Sequence, residues 1–363
     1  MMHTGYVGSK EARSFLAIVF CASIALTLPQ DLALSAGRAG WLSMVIALLV
    51  ALLACTLFSR IVEFAPGDSV ITMAGQWWGS AGRWIVGVIL WGYFVLITAL
   101  VTRAFVEAVI GTILPRTPAH VVMFLFMAVT VYIAYYGIET LSRLSQLVAV
   151  VLLVGFLLLL VADLGWMDHR YLYPVLGPGL GTVVAAGVAK SSYFSELVLL
   201  GLMFPSIRVV RDSGRIARGA VWIAGVLMIL MVLGYTLSFP PPSGADNPFP
   251  FYQLARLVYL GRFIQRMEAI FDVLWVLSAV IYIAAGLWAA TQSLAQAGDL
   301  PVYRPLVFAT AALVYGVASL PADYVQTADL TNRYLRTWGW VMLLGLPAVL
   351  WVGAVISRRR REG

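Results

Sequence analysis

Ten apolar stretches, each near the length that crosses a lipid bilayer, dominate this chain. A spanning helix takes about 20 mostly apolar residues. The stretches fall at roughly 13–36, 41–61, 84–112, 118–136, 141–164, 179–204, 216–238, 264–290, 303–320 and 337–357, the ninth being the shortest. In hydrocarbon every backbone N–H and C=O must be satisfied within the protein, so irregular chain exposed to lipid is excluded. The sequence therefore predicts an all-α integral membrane protein. No polar segment is long enough for a separate soluble domain, so 1–363 reads as one transmembrane domain with short loops. Many spans follow the first stretch, and it lacks a convincing small-residue cleavage site. It is therefore expected to be a retained span rather than a signal peptide.

Composition agrees. Hydrophobic residues make up 61% of 363 positions and charged residues 11%, against about a quarter charged in a soluble domain. Mean hydropathy is +0.91. The net charge of +7 comes from arginines spread along loop ends, a pattern set by membrane topology. No nucleic-acid module is present, so nucleic acid is not an expected partner. Cys21 and Cys55 fall within apolar stretches without metal-ligand spacing and read as small buried residues. None of His3, His120 and His169 is mid-span. With no metal cluster and no nucleophile–base pair, neither a cofactor nor an enzyme is expected.

With ten spans, both termini share one side with the loops after even-numbered spans. That side carries fourteen cations, including Arg208, Arg211, Arg215, Arg218 and Arg358 to Arg361. The other side carries eight, among them Arg262, Arg266, Arg333 and Arg336. The excess makes the first side cytoplasmic. The two dense arginine clusters also suit anionic membrane lipid, although topology alone accounts for them. The longest loop, 239–263, starts with Pro240-Pro241-Pro242. Ile71 to Ser80, with Trp77 and Trp78, reads as an interfacial segment.

Lys190 is one of only two lysines and lies inside the sixth stretch, in Gly187-Val-Ala-Lys190-Ser191-Ser192-Tyr193-Phe-Ser195-Glu196. Intramembrane charges face the protein interior or a watery cavity and mark functional sites by default. The plainer alternative is a structural pairing with Glu196 or with backbone carbonyls. Span six follows Pro174-Val-Leu-Gly177-Pro178-Gly179, and span one carries Thr27-Leu28-Pro29 past its middle. Interrupted helices at corresponding places in two halves point to a midplane site between inverted repeats. With five spans in each half, the second half is inverted relative to the first, giving repeats over 13–164 and 179–357.

The chain resembles the spore germination permease family, the B subunits of nutrient germinant receptors, within the amino acid/polyamine/organocation superfamily. The resemblance rests on several short pieces in order. These are Leu28-Pro29 with Gly40-Trp41-Leu42-Ser43, Arg103-Ala-Phe-Val-Glu107, Gly137-Ile-Glu139 with Arg143-Leu144, Tyr173 to Gly179, Phe194-Ser-Glu196, Leu202-Met-Phe-Pro205, and Arg266-Met-Glu268-Ala-Ile-Phe271 with Trp275. Two positions depart from the pattern. The turn before Leu28-Pro29 reads Ala22-Ser23-Ile24 where a small glycine-rich turn belongs, and Lys190 has no family counterpart. The resemblance implies a LeuT-type 5+5 inverted repeat with spans one and six broken. It also implies a complex with a germinant receptor A subunit and a lipoprotein C subunit in the spore inner membrane.

In such a fold a half-helix N-terminus faces a ligand carboxylate and freed carbonyls face a cation. Ser23, Thr27, Tyr93, Lys190, Ser191, Ser192 and Tyr193 are the expected ligand-binding residues. For the serines and Thr27, back-bonding to the preceding helical turn is the alternative; for Tyr93 it is plain core packing. Lys190, Glu196, Glu268 and Asp272 are the candidates for an ion path or for structural charge. The Lys190 ammonium stands where sodium sits in related transporters, or serves as a titrating group. Arg103 and Glu107 are spaced as a helical ion pair, while Glu139 and Arg143, on the cytoplasmic side, read as a cap or partner contact. The expected function is a germinant receptor B subunit that binds a small amino acid or similar nutrient. The alternative is a proton-coupled amino acid permease, and a membrane enzyme ranks third.

Overall fold

The computed structural model describes residues 6–22, 24, 26–240, 244, 249–258 and 267–362, with side chains in all of these except 267–270 and 358–362. Ser23, the Glu268 side chain, Arg262, Arg266 and residues 241–243, 245–248 and 259–263 of the 239–263 loop lie outside the described residues. In chain order the helices are α1 (Ser9–Ala22), α2 (Leu28–Ala36), α3 (Gly40–Phe64), α4 (Val70–Thr112), α5 (Ala119–Tyr136), α6 (Ile138–Asp163), α7 (Leu180–Lys190), α8 (Val198–Met203) and α9 (Ser213–Ser238). They continue with α10 (Pro250–Leu257), α11 (Met267–Ala297), α12 (Arg304–Ala318) and the helical rod α13 (Tyr324–Ser357).

Eight of the described helical segments are long and apolar enough to cross a membrane. Two of the ten expected stretches differ. The first is divided into α1 and α2, of 14 and 9 residues. The ninth, α12, has 15 residues. The interfacial segment at 71–80 and the span from 84 form one helix, α4, turned at Gly79, whose φ is 72°. That conformation carries little strain only in glycine.

Burial separates the centre of the bundle from its edge. The apolar window of the Leu180–Ser206 segment is 78% buried and that of the α11 segment 72%, against 28% for both α5 and α6. The outer helices turn Phe124, Leu125 and Val129 of α5 and Leu147, Val151 and Leu158 of α6 outward, where lipid takes the place of a core. At the centre α11 runs along α4, while α3 packs on α7 and α9. The α4–α11 seam is close: a Cβ on Gly286 would stand 2.0 Å from Thr98 Oγ1.

Both expected interruptions are present, for different local reasons. α1 stops at Ala22 and α2 restarts at Leu28 with Pro29 in its first turn, where the missing N–H removes no helical bond. α7 starts after Gly179, at φ 110°, and ends at Lys190. Ser191–Leu197 then continues as a tightened 3₁₀ helix before α8 resumes. Seven residues is long for this geometry, which commonly marks a hinge or a functional site. All seven are buried.

Val7 pairs with the loop after α8 through Val7 N to Ser206 O, 2.8 Å, and Arg208 N to Val7 O, 3.0 Å. Ser9 Oγ donates to Asp212 at 3.1 Å. The N-terminal segment and the Arg208 loop thus share one face of the bundle.

Candidate functional site

The restart of α2 and the end of α7 meet inside the bundle. Asp31 lies in the first turn of α2, its side chain 4% exposed, where the helix dipole favours a carboxylate. Lys190 Nζ is 3.8 Å from Asp31 Oδ2 and donates to Asn332 Oδ1 at 3.4 Å. Asn332 Nδ2 donates to Asp31 Oδ1 at 2.9 Å. Tyr193 OH donates to Asp31 Oδ2. With its proton so committed, the tyrosine oxygen accepts from Thr27 Oγ1 at 3.2 Å. One carboxylate therefore ties α2, the α7–α8 break and α13 together.

A second layer lies along the 3₁₀ segment. The Arg336 guanidinium stands 3.8 Å from the centre of the Tyr193 ring and its NH1 donates to Ser192 O at 3.5 Å. Tyr93 of α4 donates to Ser195 Oγ at 2.6 Å, and Ser195 Oγ donates to Ser192 O at 2.5 Å. Tyr282 of α11 donates to Glu196 Oε1 at 2.6 Å. Gly339 lets α13 approach, because a Cβ there would stand 2.8 Å from Ser192 Cβ.

Among the described residues, three buried atoms in this layer have no hydrogen-bond partner: Ser192 Oγ, Glu196 Oε2 and Arg336 Nε. Buried polar atoms are almost always satisfied, and exceptions call for a water, an ion or a ligand. Here the orphans comprise a cationic donor, an anionic acceptor and a hydroxyl that can do both. A small polar molecule with both charges would match them.

Of the residues expected at the site, Thr27, Tyr93, Lys190, Ser192, Tyr193 and Glu196 belong to this network. Ser191 does not, because its Oγ donates back to Val188 O at 2.7 Å, the back-bonding alternative. Glu196 is not the partner of Lys190; that position belongs to Asp31. Asp272 is half-buried on α11, ten residues before Tyr282 and so about 15 Å along the axis. The expected structural pair Arg103–Glu107 forms at 2.6 Å, and Glu139 and Arg143, expected as a cap or partner contact, pair with each other at 2.5 Å. Arg103 also donates to Ala322 O at 2.9 Å.

Asp31, Asn332, Arg336 and Tyr282 escape the sequence reading. Asp31 sits inside the first apolar stretch, and the rule that singles out Lys190 applies to it equally. The last span was expected from 337, which left Arg336 in an external loop; it is instead 3% exposed inside α13. α13 starts at Tyr324, where Asp323 accepts from Gln326 N at 2.8 Å and Gln326 Oε1 accepts from Ala322 N at 2.6 Å. Asp323 is thus the N-cap, and Gln326 at N3 reaches back one residue beyond it, a variant of the capping box with a sequence signature in Asp323-Tyr-Val-Gln326.

The family model for spore germination proteins matches residues 7–322 of this chain. The chain belongs to the spore germination protein family. Spore germination protein KB of Bacillus subtilis (strain 168) is 25% identical over 338 residues, covering 90% of this chain and 89% of that protein. Spore germination protein A2 of the same organism is 26% identical over 287 residues, 78% of this chain and 76% of that one. Among solved structures, a nucleobase-cation-symport-1 family transporter, closed with bromovinylhydantoin bound, aligns with a TM-score of 0.65 at 13% identity over 98% of this chain and 91% of its own. A Na+-coupled sialic acid symporter in a substrate-bound outward-open state aligns with a TM-score of 0.67 at 11% identity and the same coverage. At such identities the likeness is one of fold, and the fold of this germination protein is LeuT-like. Family and fold together indicate a receptor or transporter in a membrane, not an enzyme.

Proposed function

We propose that this germination protein is the B subunit of a nutrient germinant receptor, holding a small amino acid or similar nutrient between α2, the α7–α8 break and α13. The observation that carries this reading is the set of buried orphans, Ser192 Oγ, Glu196 Oε2 and Arg336 Nε, beside the Asp31–Lys190 pair. A carboxylate on Arg336, an ammonium on Glu196 and a polar atom on Ser192 would satisfy all three. Thr27, Tyr93, Lys190 and Tyr193 frame the site, and Ser23 of the α1–α2 turn is kept with them. Glu268 and Asp272 are assigned to structural charge at the start of α11. In this reading the halves 13–164 and 179–357 are inverted repeats, and both termini face the spore core. The chain works in the spore inner membrane with an A subunit and a lipoprotein C subunit. Nutrient acts by favouring one pre-existing conformation, which requires that it bind that conformation more tightly than the other.

A proton-coupled amino acid permease is the second reading. It draws support from the Lys190–Asp31 pair, whose 3.8 Å separation is looser than a direct charge-assisted hydrogen bond. The Lys190 ammonium then takes the place of a coupling cation. Labelled amino acids presented to proteoliposomes holding the purified chain separate the two. Saturable binding without accumulation supports the receptor, and accumulation supports the permease. The absence of both would sink the central site.

A further inference from the structure

The seam between the end of α3 and the start of α9 holds a cavity of about 620 Å³, well away from the Asp31–Lys190 centre in sequence and chemistry. Arg211, Arg215 and Arg218 line it together with Glu63. Arg215 is paired with Asp212 at 3.1 Å. Among the described residues no acidic side chain lies within salt-bridge distance of Arg211 or Arg218. The lining hydroxyls of Ser59 and Ser213 already donate, to Thr56 O at 2.8 Å and Val210 O at 2.6 Å. The free donors of the cavity are therefore guanidinium groups.

Membrane topology asks for arginines on this face but not for their convergence on one concavity. The floor is closed by helix contact, since a Cβ on Gly214 would stand 2.7 Å from Ser59 Cβ. Beyond the cavity, the same face of α9 carries exposed apolar side chains. Trp222 and Val226 follow Arg218 at four-residue steps, on neighbouring positions of one helix face, and are 51% and 41% exposed. A tryptophan next to a basic rim marks the headgroup level. The arrangement fits a molecule with an anionic head and an apolar tail.

We infer that this cavity binds an anionic phospholipid, with its phosphate on Arg211 and Arg218 and its acyl chains along Trp222 and Val226. Guanidinium forks match phosphate oxygens in pairs, and basic pockets between spanning helices hold anionic headgroups. A free phosphate would use the same donors but not the apolar stripe.

Native mass spectrometry of the purified full chain tests the assignment, with phosphatidylglycerol, phosphatidylcholine and inorganic phosphate titrated separately. Phosphatidylglycerol is expected to bind in preference to the other two. R211A/R218A should weaken it roughly thirtyfold, at about fivefold per arginine. The charge-matched R60A/R208A, outside the cavity, should leave it unchanged. Equal loss in both double variants would mean general surface attraction and overturn the site. Binding of phosphatidylcholine as tight as phosphatidylglycerol would overturn the anionic head, and binding of inorganic phosphate as tight as the lipid would overturn the lipid. Unchanged thermal unfolding of both variants in detergent shows that altered binding is not altered folding.

Discussion

Lys190 Nζ stands 3.8 Å from Oδ2 of Asp31, the oxygen to which Tyr193 also donates. Two helices interrupted in separate halves of the chain meet at that atom. Neither charge has another oppositely charged side chain within 4 Å among the described residues, so each depends on the other. Removing one partner of a buried pair leaves an uncompensated charge and costs about 3–5 kcal/mol, whereas replacing both with apolar groups is often neutral. K190M and D31L should therefore each lower the unfolding temperature in detergent, and K190M/D31L should recover most of the loss. All three should lose nutrient binding. Full binding by a well-folded K190M would remove Lys190 from the site.

Arg336 stacks on Tyr193 with its guanidinium 3.8 Å from the ring centre. Lysine keeps the charge but not the planar fork that stacks and donates together. R336K is expected to keep a cation near the ring but to lose the forked donors, and so to bind nutrient weakly. Isothermal titration would read this directly, and wild-type affinity in R336K would show that the planar group is dispensable.

Neighbouring serines should behave differently. Ser191 Oγ is engaged with Val188 O, while Ser192 Oγ is buried without a partner among the described residues. S192A removes an unsatisfied group, so the ligand-free protein should be as stable as wild type or more so. Its nutrient affinity should fall by the worth of one hydrogen bond, about 0.5–1.5 kcal/mol. S191A should leave affinity unchanged. Equal affinities for S192A and wild type would take Ser192 out of contact with the ligand.

Gly339 sets the approach of α13 to the 3₁₀ segment, its missing Cβ only 2.8 Å from Ser192 Cβ. G339V should force the two apart, at about 1–3 kcal/mol of overpacking. The expected readout is lost binding with retained membrane insertion, followed by size-exclusion chromatography in detergent. A G339V protein that binds normally would show that this contact does not hold the site.

Tyr282 OH donates to the buried Glu196 Oε1 at 2.6 Å. Y282F removes that bond from a buried carboxylate, a loss of about 1–3 kcal/mol. Thermal unfolding should shift down in Y282F and recover in Y282F/E196Q. A Y282F unfolding curve that overlays the wild type would mean that water or another group serves Glu196.

The sequence foretold the helical bundle, the break before Leu28-Pro29 and the special character of 190–196. Apolar length, proline chemistry and a misplaced charge are local signals. The pairing of Lys190 with Asp31 is not local. Nothing in either segment says which carboxylate a buried ammonium will meet, and Glu196, nearest in sequence, is held by Tyr282 instead. Arg336 escaped because the polar run Thr327 to Arg336 resembles a loop, yet α13 carries it into the interior through turns wider than an α-helix. Backbone hydrogen bonding in lipid determines that this chain must be helical, and that much its sequence carries alone. Which charges compensate one another depends on how α2, α7 and α13 pack, because in a low-dielectric interior a charge is tolerated only where the tertiary structure brings it a partner.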